Sequence, residues 1–283
     1  MSRKKLTVLD LQEMKERGDR VVWVTAYDFI TAQLAEQAGI DMLLVGDSLG
    51  MCIYGYDGTI PVTMDQCIYH CEAVRRAARN TFVIGDMPFG SYQISTEAAI
   101  ANAVRFHKEA HVDAVKLEGG ARVADVVRGI ANSGMLVMGH IGLTPQSSNA
   151  LGGFKAQGRT AETAMAVIED ARIVYEAGAF SILIEAVPPE VTQIIRDDLP
   201  IPVYSIGAGI HADGQLMIVS DLVGHFQAFT PKFVKRYGNV AGEITKSLES
   251  YIKDVKKGAF PGDEHTYRMI DGELPRLIHE LKK

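Results

Sequence analysis

The sequence predicts a closed (β/α)8 barrel of the α/β class. Short apolar runs of strand length recur along the chain, and one-sided helical patterns separate them. The alternation continues over about 250 residues, the usual size of such a barrel, with no linker or composition break. An open doubly wound sheet is the alternative. No G-x-G-x-x-G follows the first apolar run, which argues against the dinucleotide-binding form of that sheet.

The elements follow in order. Thr7 can cap a helix running to Gly18. Apolar runs then fall at 21–26, 42–45, 82–84, 114–117, 136–138, 181–184 and 203–206. Each is too short for a helix and rich in Val, Ile and Leu, as strands covered on both faces of a parallel sheet are. An eighth strand, short and weakly marked, is expected near 217–222. Between the runs, Val123, Val126, Val127 and Ile130 take helical spacing, as do Ala164, Val167, Ile168 and Ala171. Gly39, Gly134 and Gly178 stand where helices should stop. Residues 243–257 read as the helix that closes the barrel, and 268–283 as a helical tail. The whole of 1–283 is expected to be a single barrel domain carrying that tail.

Composition narrows the function classes. The chain is 47% hydrophobic, enough for a large core. Its net charge of -6 argues against a nucleic-acid partner, which needs a basic face. Cys52, Cys67 and Cys71 form no C-x-x-C pair, so a reducing compartment is expected and a disulfide framework is not. The basic N-terminal residues 1–5 lead into no apolar signal core. The longest apolar runs fall far short of the about 18 residues of a membrane span. A cytoplasmic protein with no membrane partner is the expectation.

The strand ends carry the chemistry. Asp47, Asp86, Glu118, His140 and Glu185 each stand at or just past the end of an apolar run. In a parallel barrel all strand C-termini open onto one face, where active sites are built. Carboxylates there are costly unless solvated, paired or bound to metal. Taken singly, Asp47 and Asp86 could each cap the element that follows. Together with Glu118 they better suit a hard cation with oxygen ligands, Mg2+ above all. Lys116 and Glu118 lie two apart on a strand and so face the same way. They form either a structural ion pair or a charged pair aimed into the barrel mouth. His140 fits a substrate hydrogen bond or an acid, and equally a buried histidine satisfied by backbone. Glu185 fits a general base, and otherwise a further metal ligand or a helix cap.

Two other features compete for attention. Ser205-Ile-Gly-Ala-Gly209 is similar to the glycine loops that grip phosphate after late barrel strands, yet such glycines also serve tight turns. Cys67, His70 and Cys71 share one helical face, but no fourth ligand stands at zinc spacing, so core packing is the better reading.

Longer motifs point to one family. Val45-Gly-Asp-Ser-Leu-Gly50, Gly85-Asp-Met-Pro-Phe89, Val115-Lys-Leu-Glu-Gly-Gly120 and Gly139-His-Ile-Gly-Leu-Thr-Pro-Gln146 closely resemble segments of ketopantoate hydroxymethyltransferases. Leu151-Gly-Gly-Phe-Lys-Ala-Gln-Gly-Arg159 and Phe260-Pro-Gly-Asp-Glu-His265 extend the match, which runs from about Leu6 to Tyr267. The resemblance implies a (β/α)8 barrel that moves a one-carbon unit from 5,10-methylenetetrahydrofolate to α-ketoisovalerate in pantothenate biosynthesis. It implies Mg2+ as the metal and a homo-oligomer, often a decamer. By position it makes Asp47 and Asp86 the metal aspartates and Glu118 a more distant acid of the metal site. It makes Asp47, Ser48, Asp86 and Lys116 ketoacid contacts and Glu185 the base; independently of it, the charge on Lys116 suits a developing oxyanion. Two departures stand out: Ser205 replaces the first glycine of Gly-Ile-Gly-Ala-Gly, and the stretch after Tyr267 is longer than the family pattern.

Two rival readings remain at this stage. One is a Mg2+ barrel of the phosphoenolpyruvate mutase and isocitrate lyase type, which also works through enolates. The other is a non-catalytic barrel gripping a phosphorylated metabolite at Gly207 and Gly209, which leaves the strand-end carboxylates unexplained.

Overall fold

A computed structural model describes residues 4–283 of the chain; the basic start at 1–3 lies outside the described residues. Eight parallel strands close into a barrel in chain order. They are β1 Val21–Thr25, β2 Met42–Val45, β3 Phe82–Asp86, β4 Ala114–Glu118, β5 Leu136–Gly142, β6 Ser181–Glu185, β7 Val203–Ile206 and β8 Gly214–Met217. Helices Phe29–Ala38, Met64–Ala77, Thr96–Glu109, Ala124–Asn132, Ala161–Glu176 and Pro189–Asp198 cover the outside of the sheet. Gly39 ends the first of these in the left-handed conformation, φ 87.

Strand alternation sorts the core into two layers. Trp23, Met42, Phe82, Met138, Tyr204 and Leu216 fill the barrel interior. Val24, Leu43, Val83, Val115 and Val137 face outward onto the helices. The helix Val8–Arg17 sends Leu11 into the interior cluster and so plugs the barrel's N-terminal end. Thr7 caps it as expected: its hydroxyl accepts from the Asp10 N–H while the Asp10 carboxylate accepts from the Thr7 N–H.

Two elements depart from the sequence reading. The eighth strand is Gly214–Met217, and residues 219–222 form a helical turn instead. A Cβ at Gly214 would stand 2.3 Å from the Val21 carbonyl oxygen, so β8 can close against β1 only with glycine there. That requirement removes the apolar signal by which the strand could have been found. The last long helix is Val240–Lys257, and none of its residues is buried. It does not seal the barrel; its apolar stripe predicts a buried face without saying what buries it. The tail forms the helix Glu273–Glu280, likewise with no buried residue. No helix among the described residues is long and apolar enough to cross a membrane.

Candidate active site

Strand register gathers the predicted residues at one end of the barrel. Asp86 pairs in register with Lys116 across β3 and β4, and Glu118 with His140 across β4 and β5. Asp86, Glu118 and Glu185 are the last residues of their strands. His140 is not a terminal residue, because β5 runs on to Gly142. Asp47 lies just beyond β2, and its N–H donates to Asp86 Oδ2 at 3.0 Å. Ser48 shares a hydrogen bond of 2.8 Å with the Tyr27 hydroxyl.

Lys116 is the hub. Its Nζ donates to both Asp86 oxygens at 2.8 Å and lies 3.5 Å from Glu118 Oε1. Asp47, Asp86, Lys116 and Glu118 are all buried, none more than 4% exposed. Burial pushes Asp86 well above the usual carboxylate range, and Lys116 offsets only part of this. Burial raises Asp47 and Glu118 too, against the same ammonium. For Lys116, burial alone would favour the neutral amine. The carboxylates of Asp86, Glu118 and Asp47 outweigh it and hold the ammonium charged.

His140 sits between two acids, Nδ1 3.4 Å from Glu118 Oε1 and Nε2 3.2 Å from Glu185 Oε2. Neither ring nitrogen is aligned for a hydrogen bond. Burial, then Lys116, lowers its pKa and keeps the ring neutral near pH 7. Glu185 is the more open acid, its side chain 14% exposed. Its strand β6 stands across the ring from β2.

Sequence reasoning missed two residues here. Gln146 donates from Nε2 to Asp47 Oδ2 at 2.9 Å and from its backbone N–H to Glu118 Oε2 at 2.9 Å. Tyr92 donates its hydroxyl to Gln146 Oε1 at 2.6 Å. A neutral glutamine or tyrosine in a loop gives no charge signal, and only the motif around His140 held Gln146 in view.

The donor set suits a divalent cation. Three buried carboxylates surround one ammonium, and Asp47 and Asp86 offer the hard oxygens Mg2+ prefers. No three His, Cys, Asp or Glu among the described residues stand grouped as a ready metal cluster. All three acids already have partners: Glu118 accepts from the Gln146 N–H and lies near Lys116, Asp86 accepts from Lys116 through both oxygens, and Asp47 Oδ2 accepts from Gln146, so a cation held by the two aspartates would share Asp86 with the ammonium.

The zinc reading of Cys67, His70 and Cys71 gains no support. Both thiols are in the core, and the His70 ring contacts the Tyr27 carbonyl and the Tyr54 hydroxyl. The glycine loop is set by packing. A Cβ at Gly207 would meet Phe233 at 2.6 Å, and one at Gly209 would meet Pro189 at 2.4 Å. Ser205 helps hold this turn, its hydroxyl accepting from the Ala208 N–H at 3.0 Å.

Lys116→Met should destabilise the metal-free protein at neutral pH by about 3–5 kcal/mol, the usual cost of stranding a buried charge. A carboxyl whose folded pKa exceeds its unfolded value costs stability above the unfolded pKa and nothing below it. The deficit should therefore grow from pH 5 to pH 8. Urea unfolding with chelator present at both pH values reads it, and an equal loss at both would contradict the burial of these acids as ionised groups.

Comparison with known proteins gives the fold and the family. The phosphonopyruvate hydrolase solved with oxalate and Mg2+ covers 98% of this chain and 96% of its own, at a TM-score of 0.60 and 13% identity. A 2,3-dimethylmalate lyase matches at a TM-score of 0.58 and 17% identity, covering 98% of this chain and 97% of its own. Likeness at such identity speaks to the barrel alone, so the mutase or lyase reading draws only fold from it. A protein of Alkaliphilus metalliredigens named 3-methyl-2-oxobutanoate hydroxymethyltransferase is 62% identical over 99% of both chains. One of the same name from Heliobacterium modesticaldum is 49% identical, covering 95% of this chain and 97% of its own. The family model described as ketopantoate hydroxymethyltransferase matches residues 5–263. The chain is therefore a hydroxymethyltransferase and belongs to the ketopantoate hydroxymethyltransferase family.

Proposed function

We propose that this chain moves a one-carbon unit from 5,10-methylenetetrahydrofolate to α-ketoisovalerate, giving ketopantoate for pantothenate synthesis. The observation that carries this reading is the charge arrangement: three buried carboxylates around Lys116, with Glu185 across the barrel mouth. Asp47 and Asp86 would hold Mg2+, with Glu118 the outer acid of that site. When bound, Mg2+ supplies Lewis acidity toward the carboxylate and keto oxygens of the ketoacid.

The chain's own groups do the rest. Lys116 sets positive charge beside the keto oxygen, where negative charge grows as the C3 proton leaves. Ser48, held by Tyr27, completes the ketoacid contacts. Glu185 takes the C3 proton, and neutral His140 lies against its carboxylate. The methylene bridge opens at one carbon–nitrogen bond to an iminium ion, water adds to that carbon, and the second carbon–nitrogen bond breaks as the nitrogen takes a proton, releasing tetrahydrofolate and a one-carbon aldehyde. The C3 carbanion equivalent then attacks that aldehyde carbon, whose oxygen takes a proton to leave the hydroxymethyl group on C3.

Glu185→Gln isolates the proton step. Wild-type protein with Mg2+ should exchange the C3 proton of α-ketoisovalerate with deuterated water in the absence of folate, followed by NMR. The variant should bind Mg2+ and ketoacid almost normally yet exchange about a hundredfold more slowly, the scale of losing a general base. Exchange at the wild-type rate would remove Glu185 from that role and turn attention to His140.

We also propose a homo-oligomer, with the decamer implied by the family resemblance as the expected size. Support comes from the helix Val240–Lys257, where Ile244, Leu248, Tyr251 and Val255 form a stripe left 43–56% exposed. A second copy of the chain would cover it. Light scattering at micromolar concentration should give a mass several times 30.9 kDa. A monomer there would overturn the assembly.

A further inference from the structure

Gln146 is 4% exposed on the turn after β5, yet no step above uses it. Its carboxamide makes three bonds. Nε2 donates to Asp47 Oδ2 at 2.9 Å and to the Met87 carbonyl at 3.0 Å, while Oε1 accepts from the Tyr92 hydroxyl at 2.6 Å. The direction of each bond is forced. A carboxylate and a carbonyl only accept, so the amide nitrogen must face them and its oxygen must face Tyr92. The Tyr92 oxygen in turn accepts from the Glu118 N–H at 3.1 Å, and of the two acceptors facing its hydroxyl, Gln146 Oε1 at 2.6 Å is closer than the Glu118 carbonyl at 3.3 Å. A short chain of bonds thus runs from the end of β4, through Tyr92 and Gln146, to Asp47.

We propose that Gln146 is a positioning residue for the Asp47 carboxylate, and that Tyr92 acts through it by preventing the amide from flipping. With Oδ2 held, the carboxylate cannot turn about its Cβ–Cγ bond without breaking a buried hydrogen bond. The same residue's N–H fixes Glu118 Oε2 at 2.9 Å, so one turn sets the orientation of two acids. The Met87 carbonyl already offers the amide a partner, so burial of Gln146 does not by itself require the bond to Asp47. The inference rests on the reading of Asp47 as a ligand for Mg2+ and the ketoacid. Groups that orient metal ligands in this way are worth about 10–100-fold in affinity or activity.

The test uses Gln146→Met, which keeps length and bulk but removes the amide, and Tyr92→Phe, which removes only the hydroxyl. Calorimetry reads α-ketoisovalerate binding with and without Mg2+, and thermal unfolding reads the metal-free protein. Gln146→Met should weaken Mg2+-dependent binding by about 10–100-fold. In turnover its KM should rise more than its kcat falls. Tyr92→Phe should show a smaller loss, and the double variant should bind no worse than Gln146→Met alone, since both act along one chain. A merely structural role would lower the metal-free melting midpoint of both variants and leave affinity unchanged, which would overturn the proposal. Additive losses would overturn the part given to Tyr92. If Gln146→Met fails to fold, wild-type affinity in Tyr92→Phe overturns the proposal instead. Wild-type protein that binds ketoacid equally well without Mg2+ would overturn the metal reading of Asp47, and this inference with it.

Discussion

The contact between Lys116 and Asp86 is the constraint around which the barrel mouth is arranged. An ammonium with both carboxylate oxygens at 2.8 Å, away from water, is tolerable only because the charges meet directly. Yet Asp47 and Glu118 bring further negative charge into the same dry region, and burial pushes their pKa values upward. One lysine cannot balance three acids. The proposed Mg2+ would supply the missing positive charge, and under that reading a ketoacid anion would enter with it.

The fold delivers this arrangement through strand parity and ring order. Lys116 and Glu118 share a face because they lie two apart on β4. Register then sets Asp86 beside the lysine and His140 beside the glutamate. Ring order puts Glu185 on β6, opposite β2, which leads into Asp47. A ketoacid held between the two halves would have its oxygens on one side and its C3 proton on the other. Under the proposed roles, Glu185 would not compete with Asp47 and Asp86 for the cation.

Most of the barrel was legible because its strands are buried on both faces and read as plain apolar runs. The failures have physical causes. Gly214 is forced by contact with β1, so β8 lacks the pattern that marked its neighbours. The helix Val240–Lys257 shows an apolar stripe in sequence, but a stripe does not say whether the same chain covers it. In the site, the charged residues Asp47, Asp86, Lys116, Glu118 and Glu185 stood out because ionisable groups at strand ends are hard to explain as packing. Tyr92 and Gln146 did not, since their part depends on which atoms their loops bring within hydrogen-bond reach. Their spacing in the chain carries no trace of that.

The most direct test of the account is a single assay of ketopantoate formation from α-ketoisovalerate and 5,10-methylenetetrahydrofolate, run with and without a chelator. Product should depend on the folate, disappear with the chelator and return when Mg2+ is added in excess. Product formation that persists unchanged in the chelator, or no product with all three components present, would contradict it.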